Sequence, residues 1–281
     1  MSAQIDGLTA KLVTEPRTKR VRAIVGHAAR PDDEALLRAF ERRELRLAYQ
    51  PIYRLSTGRM TKVEALLRWS HRSVLIPPTD FVPWMEEIGV MWHVGRWVIE
   101  TVCEQAVIWN RTHGPARVSL NVSPRQLEAG DLVPFIAECL ARTSCKAKWL
   151  EVEITEECFI QDLPSVRQAL FALSKMGITI AMDDFGTGYS SLACLAELPI
   201  QSLKLDRTLI AGAHAHRRRA LIVESVMGLS RALGLQVTAE GVEDREDAAY
   251  LARFDPIDVQ GFLFGRPRPA SAFSSAAIER A

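Results

Sequence analysis

The sequence predicts an α/β fold, a TIM-like (β/α)8 barrel of strands surrounded by helices. Short β-rich apolar runs alternate with long helical patterns, which is typical of βα units around a parallel sheet. Eight such runs are present, the number that closes a barrel. The length of 281 residues also suits one barrel domain, which typically has ~250 residues.

Seven of the apolar runs end in an acidic or amide residue, and this regularity is the most informative feature of the chain. The end residues are Glu64, Asn121, Glu153, Asp183–Asp184, Asp206, Glu240 and Gln260. Because the carboxyl ends of barrel strands form one rim, we expect these side chains to lie together. Lys204, inside one of the runs, needs a carboxylate or a coordinated water nearby if it is buried. Crowded carboxylates raise one another's pKa, so the pattern favours bound divalent cations.

The N-terminal part divides into an extension and the start of the barrel domain. Residues 1–32 carry basic residues without a sustained apolar period, so we expect a flexible extension there and a barrel domain over 33–281. A helix begins at Asp33, after a proline, and its apolar face is predicted to hold Leu36, Leu37, Phe40 and Leu45.

The remaining elements alternate along the chain. Turn residues at Ser56-Thr57-Gly58 separate the first two strands, and Pro77-Pro78-Thr79-Asp80 signals a helix start. The predicted strands are Leu47–Tyr53, Met60–Leu67, and runs ending at Asn121, Glu153, Asp183, Asp206, Glu240 and Gln260. The predicted helices are Phe81–Ile88, one ending near Asn110, Val133–Ala141, Pro164–Met176, Tyr189–Leu198, Arg217–Leu233, Arg245–Phe254 and Ala270–Ala281.

Composition argues against several function classes. The net charge of +1 gives no electrostatic case for a nucleic acid polymer or a membrane surface as the partner. Five irregularly spaced cysteines indicate neither a disulfide framework nor a zinc site. No apolar stretch reaches the ~18 residues of a membrane span, and the N-terminus has no signal-peptide pattern. We therefore expect a cytoplasmic protein.

The donor chemistry of the strand ends indicates the metal. All the candidate ligands are oxygen donors, which favours Mg²⁺ or Mn²⁺ over zinc, and the histidines are interpreted as surface groups. The adjacent carboxylates of Asp183 and Asp184 point in different directions, so one can bridge two ions while the other binds one. Two such ions are a recurring device for phosphoester hydrolysis.

Each signal also has a plainer interpretation. The Asp183-Asp184 segment is also compatible with an ordinary βα turn, and Asn121 with a turn former. Arg68 is a possible salt-bridge partner for Glu64. Glu151 and Glu153 share one strand face, so at least one of them is expected at the rim. The combination across so many strand ends favours the metal site.

These residues resemble the EAL domain family. The resemblance runs from about Leu36 to Phe273 and keeps the family's motif order, with Phe262 replacing the usual tyrosine. The matching segments are Glu64-Ala65-Leu66, Asn121-Val122-Ser123, Glu153-Ile154-Thr155-Glu156, Asp183–Ser191, Lys204-Leu205-Asp206, Ala239-Glu240-Gly241-Val242-Glu243 and Gln260-Gly261-Phe262.

The resemblance implies a cyclic-di-GMP-specific phosphodiesterase that forms linear 5′-pGpG, on a modified barrel whose first strand is antiparallel to the others. It implies two metal ions, Mg²⁺ or Mn²⁺, in each site. The first ion would be held by Glu64, Asn121, Glu153 and Asp183, and the second by Asp183 and Asp184 with Glu240 as a further ligand or general base.

The resemblance also assigns the remaining roles. Lys204 and Gln260 would assist the attacking water, and Glu156 would anchor the loop Asp183–Ser191, which couples the site to homodimer contacts. The substrate would contact Gln50, Leu67, Arg68 and Asp206. Two alternatives from other classes stay open: a catalytically silent cyclic-di-GMP receptor and a protein-interaction module.

Overall fold

The computed structural model describes Leu36, Arg38, Ala39 and residues 42–112, 117–155, 164–187 and 192–273. The chain divides into two compact units. One unit consists of Leu47–Leu66 and Gly95–Ala281 and contains the barrel. The other consists of the described residues up to Arg46 together with Leu67–Val94. Residues 1–32, predicted to be an extension, lie outside the described residues.

The barrel is one mixed sheet that closes on itself. Its strand order is β1-β9-β8-β7-β6-β5-β4-β2-β3, and closure comes from a further pairing between β1 and β2. Neighbours from β2 through β4 to β9 are parallel, whereas β1 is antiparallel to β9 and β2. The strands are β1 (Leu45–Arg54), β2 (Met60–His71), β3 (Val74–Ile76), β4 (Arg117–Asn121), β5 (Leu150–Thr155), β6 (Thr179–Phe185), β7 (Ser202–Leu205), β8 (Gln236–Ala239) and β9 (Asp258–Val259). The predicted barrel and its antiparallel first strand are confirmed.

The helices follow the strands as βα units require. They are α1 (Pro78–Glu87), α2 (Met91–Thr112), α3 (Pro124–Glu128), α4 (Leu132–Thr143), α5 (Pro164–Lys175), α6 (Leu192–Glu197), α7 (Arg207–Ile210), α8 (Arg217–Leu233) and α9 (Arg245–Leu251). None of the helices in the described ranges is long and apolar enough to cross a membrane.

Most predicted elements are present, and the differences have local causes. Helix α8 has the predicted limits because Gly234, left-handed at φ 70°, terminates it. The predicted terminal helix appears as a 3-10 turn over Ala270–Phe273, after which the chain lies outside the described residues. Leu45, predicted on the apolar face of the first helix, instead begins β1.

Strand β3 is an element that the sequence interpretation did not include. It pairs antiparallel with the end of β2, from Trp69 opposite Ile76 to His71 opposite Val74. The connecting residues Arg72 and Ser73 have φ values of 48° and 67°, the left-handed pair of a two-residue hairpin. Glycine and asparagine normally signal such a turn, and neither is present here.

The smaller unit has its own aromatic core. Trp69 is fully buried and packs edge-on against Phe81, with ring centroids 5.7 Å apart. Its indole N–H donates to Glu44 Oε2 at 3.0 Å, and the same oxygen lies 3.0 Å from Nδ1 of His71. His71 is therefore buried, contrary to the expectation that the histidines are surface groups.

Polar side chains occupy the inward face of the barrel strands, and apolar ones face outward. In β5, Leu150, Val152 and Ile154 are buried on one face, while Glu151 and Glu153 are buried on the other. Outward apolar residues of parallel barrel strands pack against the helices, so both faces of the strand are covered. This alternation directs an unusual number of charged groups toward the barrel axis.

Candidate active site

Lys204 is the centre of a carboxylate cluster at the carboxyl ends of the strands. Its side chain is 1% exposed. Its Nζ lies 2.7 Å from Glu240 Oε1, 2.8 Å from Glu153 Oε2 and 3.1 Å from Asp183 Oδ1, and it is 3.7 Å from Glu64 Oε2. One ammonium group therefore faces four carboxylates, and we call this set the Lys204 cluster.

The parallel register brings these side chains to one level. Asn121 pairs with Glu153 across β4 and β5, and Glu153 pairs with Ala181, two residues before Asp183. The pairing of β6 with β7 shifts between Met182 and Phe185, where Asp184 has a positive φ of 53°. The irregularity therefore falls at the two adjacent aspartates, where the pairing with β7 is interrupted.

Amide side chains orient Glu64 from two sides. Asn121 donates to Glu64 Oε1 at 3.0 Å, and Gln260 donates to Glu64 Oε2 at 2.6 Å. Gln260 lies 3.2 Å from Gln50 Oε1, and Gln50 donates to the Gly265 carbonyl at 3.0 Å. Asn121, Gln260 and Lys204, all from within the barrel unit, therefore stabilise this buried carboxylate.

Several buried oxygens of the cluster accept no hydrogen bond. They are both carboxylate oxygens of Glu153, Oε1 of Glu240 and Oε1 of Gln260. Two of them lie at ion-pair distance from Lys204, but the geometry of these contacts is not that of a hydrogen bond. Buried acceptors are normally satisfied, so oxygens in this state fit ligands of a cation.

Two groups of acidic residues have ligand atoms close enough to hold an ion. Glu64, Glu153 and Asp183 form one group, and Asp183, Asp184 and Glu240 form the other. In each group the ligand atoms lie within 4.8 Å of one another, and Asp183 belongs to both. The carboxylates of the two predicted ligand sets therefore lie close together, and Asp183 is common to both groups. An all-oxygen donor set suits a hard divalent cation.

The electrostatics of the cluster show an excess of negative charge. Burial alone would lower the pKa of Lys204, but the surrounding carboxylates outweigh burial and hold this pKa well above its usual value. Burial and the charge of Glu64 raise the pKa of Glu153 well above its ordinary range. The metal-free site therefore resolves its charge imbalance partly by retaining protons on carboxylates.

The second acidic group shows the same effect. Burial, with a contribution from Asp183, raises the pKa of Glu240 to about 8 even though Lys204 opposes the shift. Burial and Asp183 together raise the pKa of Asp184 to about 6. Burial also acts to raise the pKa of Glu64, but Lys204 and the amide hydrogen bonds outweigh it, so that this pKa is lowered.

The predicted substrate-binding residues have different surroundings. Gln50 is buried and belongs to the Glu64 network. Asp206 caps α7, since its Oδ1 accepts a hydrogen bond from the Thr208 N–H at 2.8 Å. Leu67 and Arg68 continue β2 in the smaller unit, where Arg68 Nη1 donates to the Leu67 carbonyl at 2.8 Å. The predicted loop anchor Glu156 and residues 188–191 lie outside the described residues.

A third group, His214 with Asp244 and Asp247, is better explained as a structural anchor. The carboxylate of Asp247 accepts the Gly212 N–H at 3.0 Å and lies 2.8 Å from His214 Nδ1. These contacts tie the start of α9 to the turn before α8. The buried Asp247 carboxylate is therefore satisfied by the Gly212 N–H and His214.

Phe262 is a residue whose position sequence reasoning undervalued. It follows Gln260 by two residues, its side chain is 49% exposed, and the Arg266 guanidinium lies 4.1 Å from its ring centre. The sequence signal for this exposed aromatic residue is its place directly after the last strand end.

Known proteins are similar to this chain in sequence and in fold. The EAL domain family matches residues 33–267. The chain belongs to the EAL domain family. The bifunctional diguanylate cyclase/cyclic di-GMP phosphodiesterase MucR of Pseudomonas aeruginosa is 40% identical over 237 residues, which cover 84% of this chain and 35% of MucR. The cyclic di-GMP phosphodiesterase PdeR of Escherichia coli is 37% identical over 242 residues, covering 86% of this chain and 36% of PdeR.

Solved structures agree with the sequence relatives. The PaMucR phosphodiesterase in its c-di-GMP complex superposes with a TM-score of 0.80 at 39% identity, covering 85% of this chain and 97% of that one. This chain spans about a third of the length of the curated relatives it matches. The likeness therefore concerns the EAL domain of those proteins.

Proposed function

We propose that this EAL domain hydrolyses cyclic-di-GMP to linear 5′-pGpG with the help of two Mg²⁺ or Mn²⁺ ions. The observation that carries the proposal is the Lys204 cluster, in which two acidic groups share Asp183 and several buried oxygens accept no hydrogen bond. The c-di-GMP complex of the related PaMucR domain supports the choice of substrate.

The residues of the site would have different roles. Glu64, Asn121, Glu153 and Asp183 would hold one ion, and Asp183, Asp184 and Glu240 the other. When bound, such ions neutralise phosphodiester charge and acidify water. Asn121 and Gln260 fix the carboxylate of Glu64 through hydrogen bonds of 3.0 and 2.6 Å, which keeps the donor set preorganised.

Proton transfer is assigned to Glu240 and Lys204. Burial raises the pKa of Glu240 to about 8, so this carboxylate can exchange a proton near neutral pH, and it would act as the general base where it does not itself bind the second ion. Lys204, 2.7 Å from Glu240, would donate a hydrogen bond to the attacking water and hold it in line. The water oxygen bonds to phosphorus, the bond from phosphorus to the 3′ oxygen breaks, and that oxygen leaves with a proton, so the phosphate remains on the 5′ carbon.

The substrate contacts assigned from the family resemblance are Gln50, Leu67, Arg68 and Asp206. The exposed ring of Phe262 adds a candidate stacking surface for a guanine base, because every nucleobase presents a π face. Phe262→Ala should then raise KM more than it lowers kcat.

The direct test is an assay of the full chain with cyclic-di-GMP, with products separated by chromatography. We expect one product, 5′-pGpG, with Mg²⁺ or Mn²⁺, no turnover with EDTA, and poor turnover with Ca²⁺, whose longer bonds suit a tight two-ion site less well. Nucleotide binding without turnover would favour the silent receptor, and absence of binding would favour the interaction module.

We also propose that the chain forms a homodimer through the outer face of α8. Leu221, Ile222 and Leu233 are 52%, 50% and 45% exposed on this one helix. Gly228 lies in its middle, where an added Cβ would meet nothing within 4 Å. Mid-helix glycine costs about 1 kcal/mol relative to alanine. Packing within the chain does not require it, whereas close approach of a second helix does.

The charges of α8 are complementary to those of a second copy. Glu224 and Arg231 are equally distant from the midpoint between Met227 and Gly228, and so are Ile222 and Leu233 on the other flank of the outer face. A two-fold axis there would oppose Glu224 to Arg231 of the partner subunit, twice, and join the apolar flanks. Within the described part of the chain, Glu224 Oε1 lies 3.9 Å from Arg253 Nη2, a long ion-pair contact.

Light scattering of the full chain tests the dimer. Ile222→Arg should give a monomer, while the control Phe171→Arg, at a 42% exposed position on α5, should leave the mass unchanged. Glu224→Arg should weaken association, and Arg231→Glu in the same chain should restore it. A monomeric wild type would contradict the proposal. The predicted coupling of the dimer to the site through Glu156 remains a proposal.

A further inference from the structure

Two loops at the rim are joined by an ion pair to which the proposed mechanism assigns no role. Arg207 follows β7 as the first residue of α7, and Glu243 follows β8 by four residues. The guanidinium contacts both carboxylate oxygens: Nη1 lies 2.8 Å from Oε1 and Nη2 lies 2.7 Å from Oε2. This two-pronged geometry fixes orientation as well as distance. We call this pair the rim clasp.

The aliphatic part of Arg207 also lies against Gly241. Gly241 has a positive φ of 61°, and a Cβ added there would lie 2.6 Å from Arg207 Cβ and 2.9 Å from its Cγ and Cδ. Only glycine permits both this conformation and this approach. The backbone at Gly241 therefore lies directly against the aliphatic part of Arg207, between Glu240 and Glu243.

Backbone hydrogen bonds hold the loop to the chain on both neighbouring sides. The Glu240 N–H donates to the Leu205 carbonyl at 2.9 Å, and the Val242 N–H donates to the Gln260 carbonyl at 3.0 Å. Glu240 points toward Lys204, while Gly241 and Glu243 are covered or held by Arg207. On the β7 side, the rim clasp adds a side-chain contact at Glu243 to the backbone hydrogen bond at Glu240.

We infer that Arg207 and Glu243 are positioning residues that hold the Glu240 loop, and with it the Glu240 carboxylate, in place beside Lys204. Arg207 also begins the helix capped by Asp206, so the clasp ties two loops of the site together. Both partners are more than one third exposed, at 53% and 37%, so their attraction contributes little to global stability. The inference rests on the proposed function for its effect on turnover, but not for its effect on loop order.

The test compares Arg207→Lys, Glu243→Gln and the charge swap Arg207→Glu/Glu243→Arg in the full chain. Lysine keeps the charge but loses the second contact. The matched control is Arg167→Lys with Glu197→Gln, a 2.8 Å exposed ion pair on α5 and α6. The readouts are hydrogen exchange of the peptide covering Glu240–Glu243, Mn²⁺ affinity by calorimetry, and kcat and KM for cyclic-di-GMP.

We expect the amides of the Glu240 loop to exchange about 10-fold faster in both single variants. Mn²⁺ affinity should fall about 10-fold, the lower end of the effect of losing a group that orients a metal ligand. The loss of turnover should fall on kcat with KM unchanged, and the swap should recover part of each effect. The unfolding midpoint should stay that of the wild type in all variants.

The outcomes separate the clasp from the proposed activity. Faster loop exchange in both variants, with a wild type that does not hydrolyse cyclic-di-GMP, would uphold the clasp and reject the activity. Unchanged exchange in either single variant overturns the clasp, whatever the activity. A loss confined to KM and to Arg207→Lys would assign Arg207 to substrate contact and also overturns it.

Discussion

Two lysines are buried inside this barrel, and the difference between their surroundings separates structure from function. Lys62, 3% exposed, pairs with Glu151 Oε1, and Arg117 Nη1 lies 3.2 Å from Glu151 Oε2. We call these three residues the Lys62 cluster. Lys204, 1% exposed, instead faces four carboxylates. The first cluster has two cations for one carboxylate, whereas the second has one cation for four.

Both clusters draw on the same strand. Glu151 and Glu153 are two residues apart on the inward face of β5, so a shift of two positions separates a glutamate that has two cations to itself from one that shares a single ammonium with three other carboxylates. Burial is equal, since both are 0% exposed. Charge balance, not burial, therefore distinguishes a group that stabilises the fold from one prepared for a cation.

The largest expected effect compares Glu151→Gln with Glu153→Gln. Removing the charge of Glu151 leaves the Lys62 ammonium buried without its partner, which should lower the free energy of unfolding by about 3–5 kcal/mol. Glu153→Gln relieves repulsion and should leave the free energy of the metal-free protein unchanged or higher. Urea denaturation in EDTA measures both. Equal destabilisation by the two substitutions would show that the clusters do not differ in kind.

The next effect is on turnover. Glu64→Ala and Asp183→Ala should each reduce kcat/KM for cyclic-di-GMP by at least about 100-fold, the upper end for loss of a mere outer partner of a metal ligand. Both variants should remain folded because each removes a like charge from the Lys204 cluster. Lys62→Met/Glu151→Leu serves as the folded control with normal turnover. Variants that retain most of the activity would show that these carboxylates hold no ion.

The stability of the folded protein should depend on pH through the carboxylates at the strand ends. The pKa values of Asp184 and Glu240 are raised to about 6 and about 8, so the folded metal-free protein binds more protons than the unfolded chain between about pH 4 and 8. Stability contributed by these groups is therefore lost as the pH rises through that window. Thermal unfolding in EDTA at pH 5.5, 7 and 8.5 should show this fall.

Glu240→Gln supplies the control for that measurement, since it removes the group with the higher pKa and should flatten the fall. Mg²⁺ should also oppose the loss of stability, because an ion at 100 times its Kd raises the free energy of unfolding by about 2.7 kcal/mol. A slope that Glu240→Gln and Mg²⁺ both leave unchanged would place the titration elsewhere in the chain.

The smallest expected effect is that of replacing the whole Lys62 pair. Apolar residues of similar size often substitute for a buried ion pair at little cost, so Lys62→Met/Glu151→Leu should change the free energy of unfolding by less than about 1 kcal/mol. Arg117, 29% exposed, can then turn toward water. A large loss of stability in a urea titration would show that the pair also fixes strand register.

The sequence allowed prediction of the carboxylates at the strand ends but not of the Lys62 cluster. Strand-end residues identify the rim because carboxyl ends of parallel strands always meet there. The pairing of Glu151 with Lys62 joins residues 89 positions apart and depends on the register of β2, β4 and β5. Short apolar runs do not encode that register, so the sequence indicated only that Glu151 or Glu153 would reach the site.

Other differences have similar causes. The alternative of an Arg68 partner for Glu64 came from proximity along the chain, whereas the observed amides of Asn121 and Gln260 come from other strands. The clasp of Arg207 and Glu243 joins two loops whose approach depends on the positive φ and the missing side chain of Gly241. The hairpin at Arg72 and Ser73 uses left-handed residues without the usual sequence signal.

The central claim, that the charge imbalance around Lys204 is a site for divalent cations, is tested most directly by calorimetric titration of the full chain with Mn²⁺. The account predicts two ions per chain and release of protons at pH 7, because ligands must deprotonate to bind. Glu153→Gln should lose at least one ion, and Glu151→Gln, where it remains folded, should lose none. No binding at millimolar Mn²⁺, or equal binding by wild type and Glu153→Gln, would contradict the account.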